Sequence, residues 1–113
     1  QKIIKRAHDN GTMISTVVND PEHAFQPYDI AVDPYARTLY WTCSSKNAIN
    51  IARIDVVRSP IGVILASTSG FKPRSIVLYP EKGKMYFTNM VNSPKIETAL
   101  MDGSEKTTLF KNM

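Results

Sequence analysis

The amino-acid sequence predicts an all-β chain: a partial β-propeller of about two and a half four-stranded antiparallel blades. Three observations carry this. The run Leu39-Tyr40-Trp41-Thr42 returns as Met85-Tyr86-Phe87-Thr88, and Tyr40 to Tyr86, Pro27 to Pro73 and Ile30 to Ile76 all stand 46 positions apart. A period of roughly 40 to 50 residues holding several short strands is the signature of propeller repeats. Finally, no segment keeps an i, i+3, i+4, i+7 apolar pattern for the length of a helix.

The first blade is represented only by its end, residues 1–18. Residues 2–9 alternate as a strand, Asp9-Asn10-Gly11-Thr12 makes a tight turn because Asn-Gly adopts positive φ readily, and residues 13–18 return as a β-branched strand. Asp9 precedes Asp55 by 46 positions, which marks this hairpin as the tail of an earlier copy. Residues 19–26 are polar, contain Pro21, and read as a crossing loop.

The second blade spans 27–66. Pro27 is tolerated as the first residue of a strand, with Ile30 and Val32 on one face. Pro34-Tyr35-Ala36-Arg37 turns the chain, 38–42 returns, Ser44-Ser45-Lys46-Asn47 is a polar loop, and 48–55 and 61–65 are the third and fourth strands. The third blade, 73–110, repeats this order, with Pro80-Glu81-Lys82-Gly83 and Asp102-Gly103 as turns. Ile49 to Ile96 and Asp55 to Asp102 are 47 apart, so one extra residue lies in the loop that follows Thr42 or Thr88.

Length and composition bound the rest. The chain has 113 residues, 42% of them apolar, and a formal charge of +4. It begins inside a repeat without an initiator Met and stops just after one, so it reads as a piece of a longer polypeptide, expected on its own to be aggregation-prone or partly folded. No apolar run is long enough to span a bilayer, and no signal-peptide pattern is present; the piece is expected to make no direct membrane contact. The basic residues are scattered rather than clustered, which argues against nucleic acid. Cys43, the single cysteine, cannot form an internal disulfide and reads as a buried thiol. Asn10-Gly11-Thr12 is the one Asn-x-Ser/Thr sequon, so Asn10 is a glycosylation candidate if the protein is secreted.

Catalytic and metal-binding chemistry finds little to stand on. Tyr40, Trp41, Tyr86 and Phe87 resemble a stacking platform, but their recurrence at one place in successive blades reads better as packing between sheets. Asp29 and Asp33 share one side of a strand, yet the next repeat has Ser75 and Tyr79 there. No cofactor and no metal is expected.

The two tetrads, the Pro-x-x-Ile strand starts and Met101-Asp102-Gly103 together resemble the YWTD repeats of the low-density-lipoprotein-receptor family, which build six-bladed propellers in extracellular receptors. Along Gln26-Pro27-Tyr28-Asp29-Ile30, Tyr40-Trp41-Thr42-Cys43, Met85-Tyr86-Phe87-Thr88-Asn89 and Ser93-Pro94-Lys95-Ile96-Glu97 the chain is similar to the fourth, most membrane-proximal propeller of the family's Wnt co-receptors. That propeller shares Cys and Asn at the fourth motif place. Val56 and Val57 depart from the family's Asp-Gly turn.

The resemblance implies a non-catalytic, extracellular protein-binding module of a single-pass cell-surface receptor. Its partners would be Wnt ligands or secreted Wnt antagonists, and EGF-like and further propeller modules of the same chain would adjoin it. The alternatives are a propeller of another lipoprotein-receptor-type endocytic receptor, acting in ligand uptake or release, and a six-bladed hydrolase. In this family the top face takes ligands, and loops tolerate the variation that recognition needs. The expected ligand-binding residues are Phe25, Tyr28, Phe71, Lys72 and Arg74, with His23, Lys46 and Met90 as secondary candidates; aromatic and Arg side chains are the types enriched at interface hot spots.

Overall fold

The computed structural model describes residues 3–6, 15–19, 27–43, 47–55, 60–66 and 71–111. Among the described residues ten strands form three antiparallel sheets. In the first, β1 (Ile3–Arg6) pairs with β2 (Ser15–Asn19). The second is the meander β3 (Pro27–Asp33), β4 (Thr38–Cys43), β5 (Ala48–Arg53) and β6 (Gly62–Ala66). The third repeats it as β7 (Pro73–Tyr79), β8 (Lys84–Asn89), β9 (Lys95–Leu100) and β10 (Thr107–Lys111). A 3-10 turn, Pro80–Lys82, lies between β7 and β8 where a plain turn is expected from sequence.

Local chemistry repeats as faithfully as the motif. After β3 the turn closes on Arg37 at φ 57°, and the equivalent residue after β7 is Gly83 at φ 64°. The carbonyl of each accepts the N–H of the residue just past the third strand: Ile54 N–H to Arg37 at 3.0 Å, Met101 N–H to Gly83 at 2.8 Å. Glycine reaches that backbone shape without strain, whereas arginine does so against the usual steric preference. Asp33, buried, helps the Arg37 turn by accepting the N–H groups of Tyr35 (3.0 Å) and Ala36 (3.3 Å) through Oδ1.

The sheets pack face to face, with β3 and β7 as neighbouring inner strands. Successive residues of β4 point to opposite faces, so the motif fills two layers at once. Leu39, Trp41 and Cys43 pack with Ala52, Ile54 and Ile61 on the face turned away from the third sheet. Tyr40 joins Ile49, Phe71, Ile76, Met85, Phe87 and Ala99 in the layer between the second and third sheets. Trp41 is 0% exposed and Phe87 2%, so both are packing residues, as their recurrence between blades predicts.

Three side chains of the second sheet reach main-chain atoms of the third. Tyr40 donates its hydroxyl to Met101 O (3.1 Å), Thr42 donates Oγ1–H to Arg74 O (2.6 Å), and Asp29 Oδ2 accepts Ile76 N–H (2.9 Å). Gly103, at φ 90°, comes so close to the second sheet that a Cβ there would lie 2.4 Å from the Ile64 carbonyl oxygen. The joint between these sheets therefore combines an apolar layer with directional bonds at both its ends.

Candidate ligand-binding rim

Both meanders begin at the same end of the molecule. Cross-strand register places Pro27, Cys43, Ala48 and Ala66 in one row there, and Pro73, Asn89, Lys95 and Lys111 in the matching row of the third sheet. In each sheet the inner strand carries a register shift immediately after its proline, between Pro27 and Asp29 and between Pro73 and Ile76. A β-bulge of this kind re-aims a side chain out of the pleat. Tyr28 lies in the first shift and Arg74 in the second.

The bulges are held from behind by threonine. Thr42 Oγ1 accepts the Asp29 N–H at 3.1 Å, and Thr88 Oγ1 accepts the Ser75 N–H at 3.0 Å. Since Thr42 also donates to Arg74 O, one buried hydroxyl fixes the backbone beside both candidate residues. The result is a stacked pair: the Arg74 guanidinium carbon stands 5.7 Å from the centre of the Tyr28 ring, and its Nη1 donates to Pro73 O at 2.7 Å. Tyr28 remains 63% exposed, giving the rim a wet aromatic surface with a cation already laid on it.

Lys72 and Met90 belong to the same rim. The Lys72 N–H donates to Asn89 Oδ1 (2.9 Å) and its carbonyl accepts Met90 N–H (2.9 Å), which ties the segment entering β7 to the end of β8. Lys72 is exposed and Met90 46% exposed. Behind them Asn89 donates Nδ2–H to Glu97 Oε1 (3.0 Å), and the buried Glu97 accepts Thr108 Oγ1–H (3.1 Å) and faces the Lys106 ammonium (3.8 Å).

Phe71 departs from the expectation. At 4% exposure it lies in the layer between sheets, edge-on to Phe87 at 5.8 Å, with the Lys106 ammonium 5.2 Å from its ring centre. A large ring next to a strand-opening proline reads equally as surface anchor or as plug, and here the gap between sheets takes it. Phe25, His23, Lys46 and Asn10 lie outside the described residues. Lys95 and Lys111 are rim residues that the motif spacing does not point to, because only the pairing register shows which strand ends share an edge.

Asp29 and Asp33, the pair of carboxylates on β3, hold backbone instead: Asp29 caps its own bulge through Ile30 N–H (3.0 Å) and bridges to Ile76, and Asp33 closes the turn. Among the described residues no group of three or more His, Cys, Asp or Glu is arranged to hold a metal ion, and no helix is long and apolar enough to cross a membrane.

Comparison with known proteins agrees with the fold. No family model matches the chain. It is 43% identical to mouse low-density lipoprotein receptor-related protein 5 over 95% of its own length, which is 7% of that relative. It is 36% identical to the human low-density lipoprotein receptor-related protein 5-like protein over 90% of its length and 38% of the relative's. A chain in the crystal structure of a nidogen/laminin complex superposes over 97% of these residues and 40% of its own, with a TM-score of 0.81 and 32% identity. The chain is a YWTD propeller segment of the lipoprotein-receptor-related family.

The YWTD strands of this segment show what each motif place does. The first aromatic of β4 bonds across to the next blade, the second packs backward, and the threonine clamps the bulge. Asn89 stands where the motif name has Asp, and still accepts the N–H of the residue before the strand-opening proline. The chain spans less than half the length of the lipoprotein-receptor-related relatives it matches.

Proposed function

We propose that this segment is a non-catalytic, extracellular protein-binding module of a Wnt co-receptor, from its fourth propeller, engaging a Wnt protein or a secreted Wnt antagonist through the rim at which β3 and β7 begin. It belongs to the outer part of a single-pass receptor, flanked by EGF-like and propeller modules. The observation that carries the reading is the exposed Tyr28–Arg74 stack raised on two equivalent bulges. Aromatic and arginine side chains at a pre-organised, partly wet position are the composition of interface hot spots, and holding them rigid before binding reduces the ordering cost. Lys72 and Met90 extend the surface. The similarity to a propeller crystallised in a nidogen/laminin complex supports a protein partner on this scaffold.

The test is binding of a secreted Wnt antagonist to the full ectodomain carrying Tyr28→Ala and Arg74→Ala together. Affinity should fall by about tenfold or more while the unfolding transition stays in place. Unchanged affinity removes the rim from the site and leaves the fold as described.

A further inference from the structure

Carboxylates are unevenly spread along the blades. At the rim, Lys72 and Arg74 flank Pro73, and Lys95 and Lys111 share its cross-strand row. Two described carboxylates lie near this end, and both are engaged: Asp29 by the N–H groups of Ile30 and Ile76, Glu97 by Asn89, Thr108 and Lys106. The other described carboxylates, Asp33, Asp55, Glu81, Asp102 and Glu105, sit at the opposite end, where Arg53 already pairs with Asp55 at 2.6 Å. The opposite end balances those acids with Arg37, Arg53, Lys82 and Lys84, whereas the described part of the rim carries four cations and only two carboxylates, both engaged.

The form of the cations adds to their number. With its carbon 5.7 Å from the centre of the Tyr28 ring and one Nη1–H on Pro73 O, the Arg74 guanidinium is held at the rim. A planar fork of N–H donors held this way suits a carboxylate bidentately. Tyr28 and Met90 supply apolar area beside it, 63% and 46% exposed. A sulfated glycan would use the cations and leave that area idle; a protein segment uses both.

Resting on the protein-binding reading above, we infer that the segment this rim receives is acidic: an extended stretch of Asp and Glu with an apolar residue among them. A carboxylate pairs with Arg74, the apolar residue covers Tyr28 and Met90, and further acids meet Lys72, Lys95 and Lys111. Attraction of this kind also speeds encounter and weakens with salt.

A fluorescent synthetic peptide of Asp and Glu around a central Phe, titrated by anisotropy into the full ectodomain, tests this. The peptide should bind, bind more weakly as salt is raised, and lose about five- to tenfold or more in affinity to Lys72→Glu with Arg74→Glu, which turn two exposed attractions into repulsions. Lys95→Glu with Lys111→Glu should weaken it independently, and Lys84→Glu at the opposite end should not. No binding, equal binding to the rim variants, or tighter binding of a heparin oligosaccharide through the same four cations overturns the inference. Antagonist binding lost in the Tyr28→Ala, Arg74→Ala double variant, with no binding of the acidic peptide, would fail the acidic partner while leaving the protein-binding rim standing.

Discussion

Replacing Thr42 by valine asks how much one hydroxyl contributes to joining two blades. The substitution keeps the side chain's shape, so it opens no cavity at this wholly buried position. What it removes is an acceptor for Asp29 N–H and a donor for Arg74 O, both part-buried bonds, at 3.1 and 2.6 Å. Stranding a buried polar group costs about 1–3 kcal/mol, and the extra buried methyl returns roughly 0.8 kcal/mol. Since both bonds are part-buried, water reaches some of what is stranded, and the net loss should be about 1–3 kcal/mol. Urea unfolding of the complete propeller reads it as a lower midpoint at unchanged m-value. Thr42→Ser keeps the hydroxyl and should lose clearly less than Thr42→Val. If serine is as destabilised as valine, the methyl's packing, rather than the two hydrogen bonds, is what Thr42 supplies.

Trp41→Ala should cost about 3–5 kcal/mol by the same unfolding measurement, since the indole is fully enclosed with Leu39, Cys43, Ala52, Ile54 and Ile61; a loss below about 1 kcal/mol would return it to the surface. Burial, with Asp33 and Asp102 adding to it, pushes the Tyr40 hydroxyl above its ordinary 10.0. The unfolded chain therefore releases that proton first, so Tyr40 contributes fully below pH 10 and stability falls as pH rises through the folded value. Tyr40→Phe should abolish that alkaline slope and cost about 1 kcal/mol at neutral pH for the lost bond to Met101, both visible in a pH series of thermal unfolding. Gly103→Ala should cost more than Gly83→Ala: both meet the 1–2 kcal/mol penalty of positive φ, but the Gly103 methyl also meets the Ile64 carbonyl, whereas nothing lies within 4 Å at Gly83. Equal midpoints in urea would refute that close approach.

The repeat spacing carries a good part of the architecture. Matching prolines, aromatic pairs and turn residues at one offset require the sheets to be copies, and copies of an apolar-both-sides strand must stack. The same reasoning placed Tyr28 and Arg74 at equivalent positions, which the structure brings within 5.7 Å of each other. Two things were out of reach. Whether Phe71 turns outward or into the gap depends on the width left between sheets, set by Tyr40 of β4 and by Met85 and Phe87 of β8. That Lys95 and Lys111 share an edge with Pro73 follows from the pairing of β9 with β8 and β10, and nothing local in either lysine's surroundings encodes that pairing.

The joint between the blades has a direction. Tyr40 and Thr42 speak to carbonyl oxygens and Asp29 to an amide, so in all three bonds the earlier blade supplies the side chain and the later one only its backbone. Every residue type has a carbonyl, and every type except proline has an amide. A following blade can thus change its sequence freely at Arg74, Ile76 and Met101 without losing these attachments, so long as no proline enters at Ile76. A gene assembled by duplicating such units inherits a coupling that does not have to be re-matched each time a copy diverges. This leaves the rim residues free to be shaped one blade at a time for whatever they come to recognise.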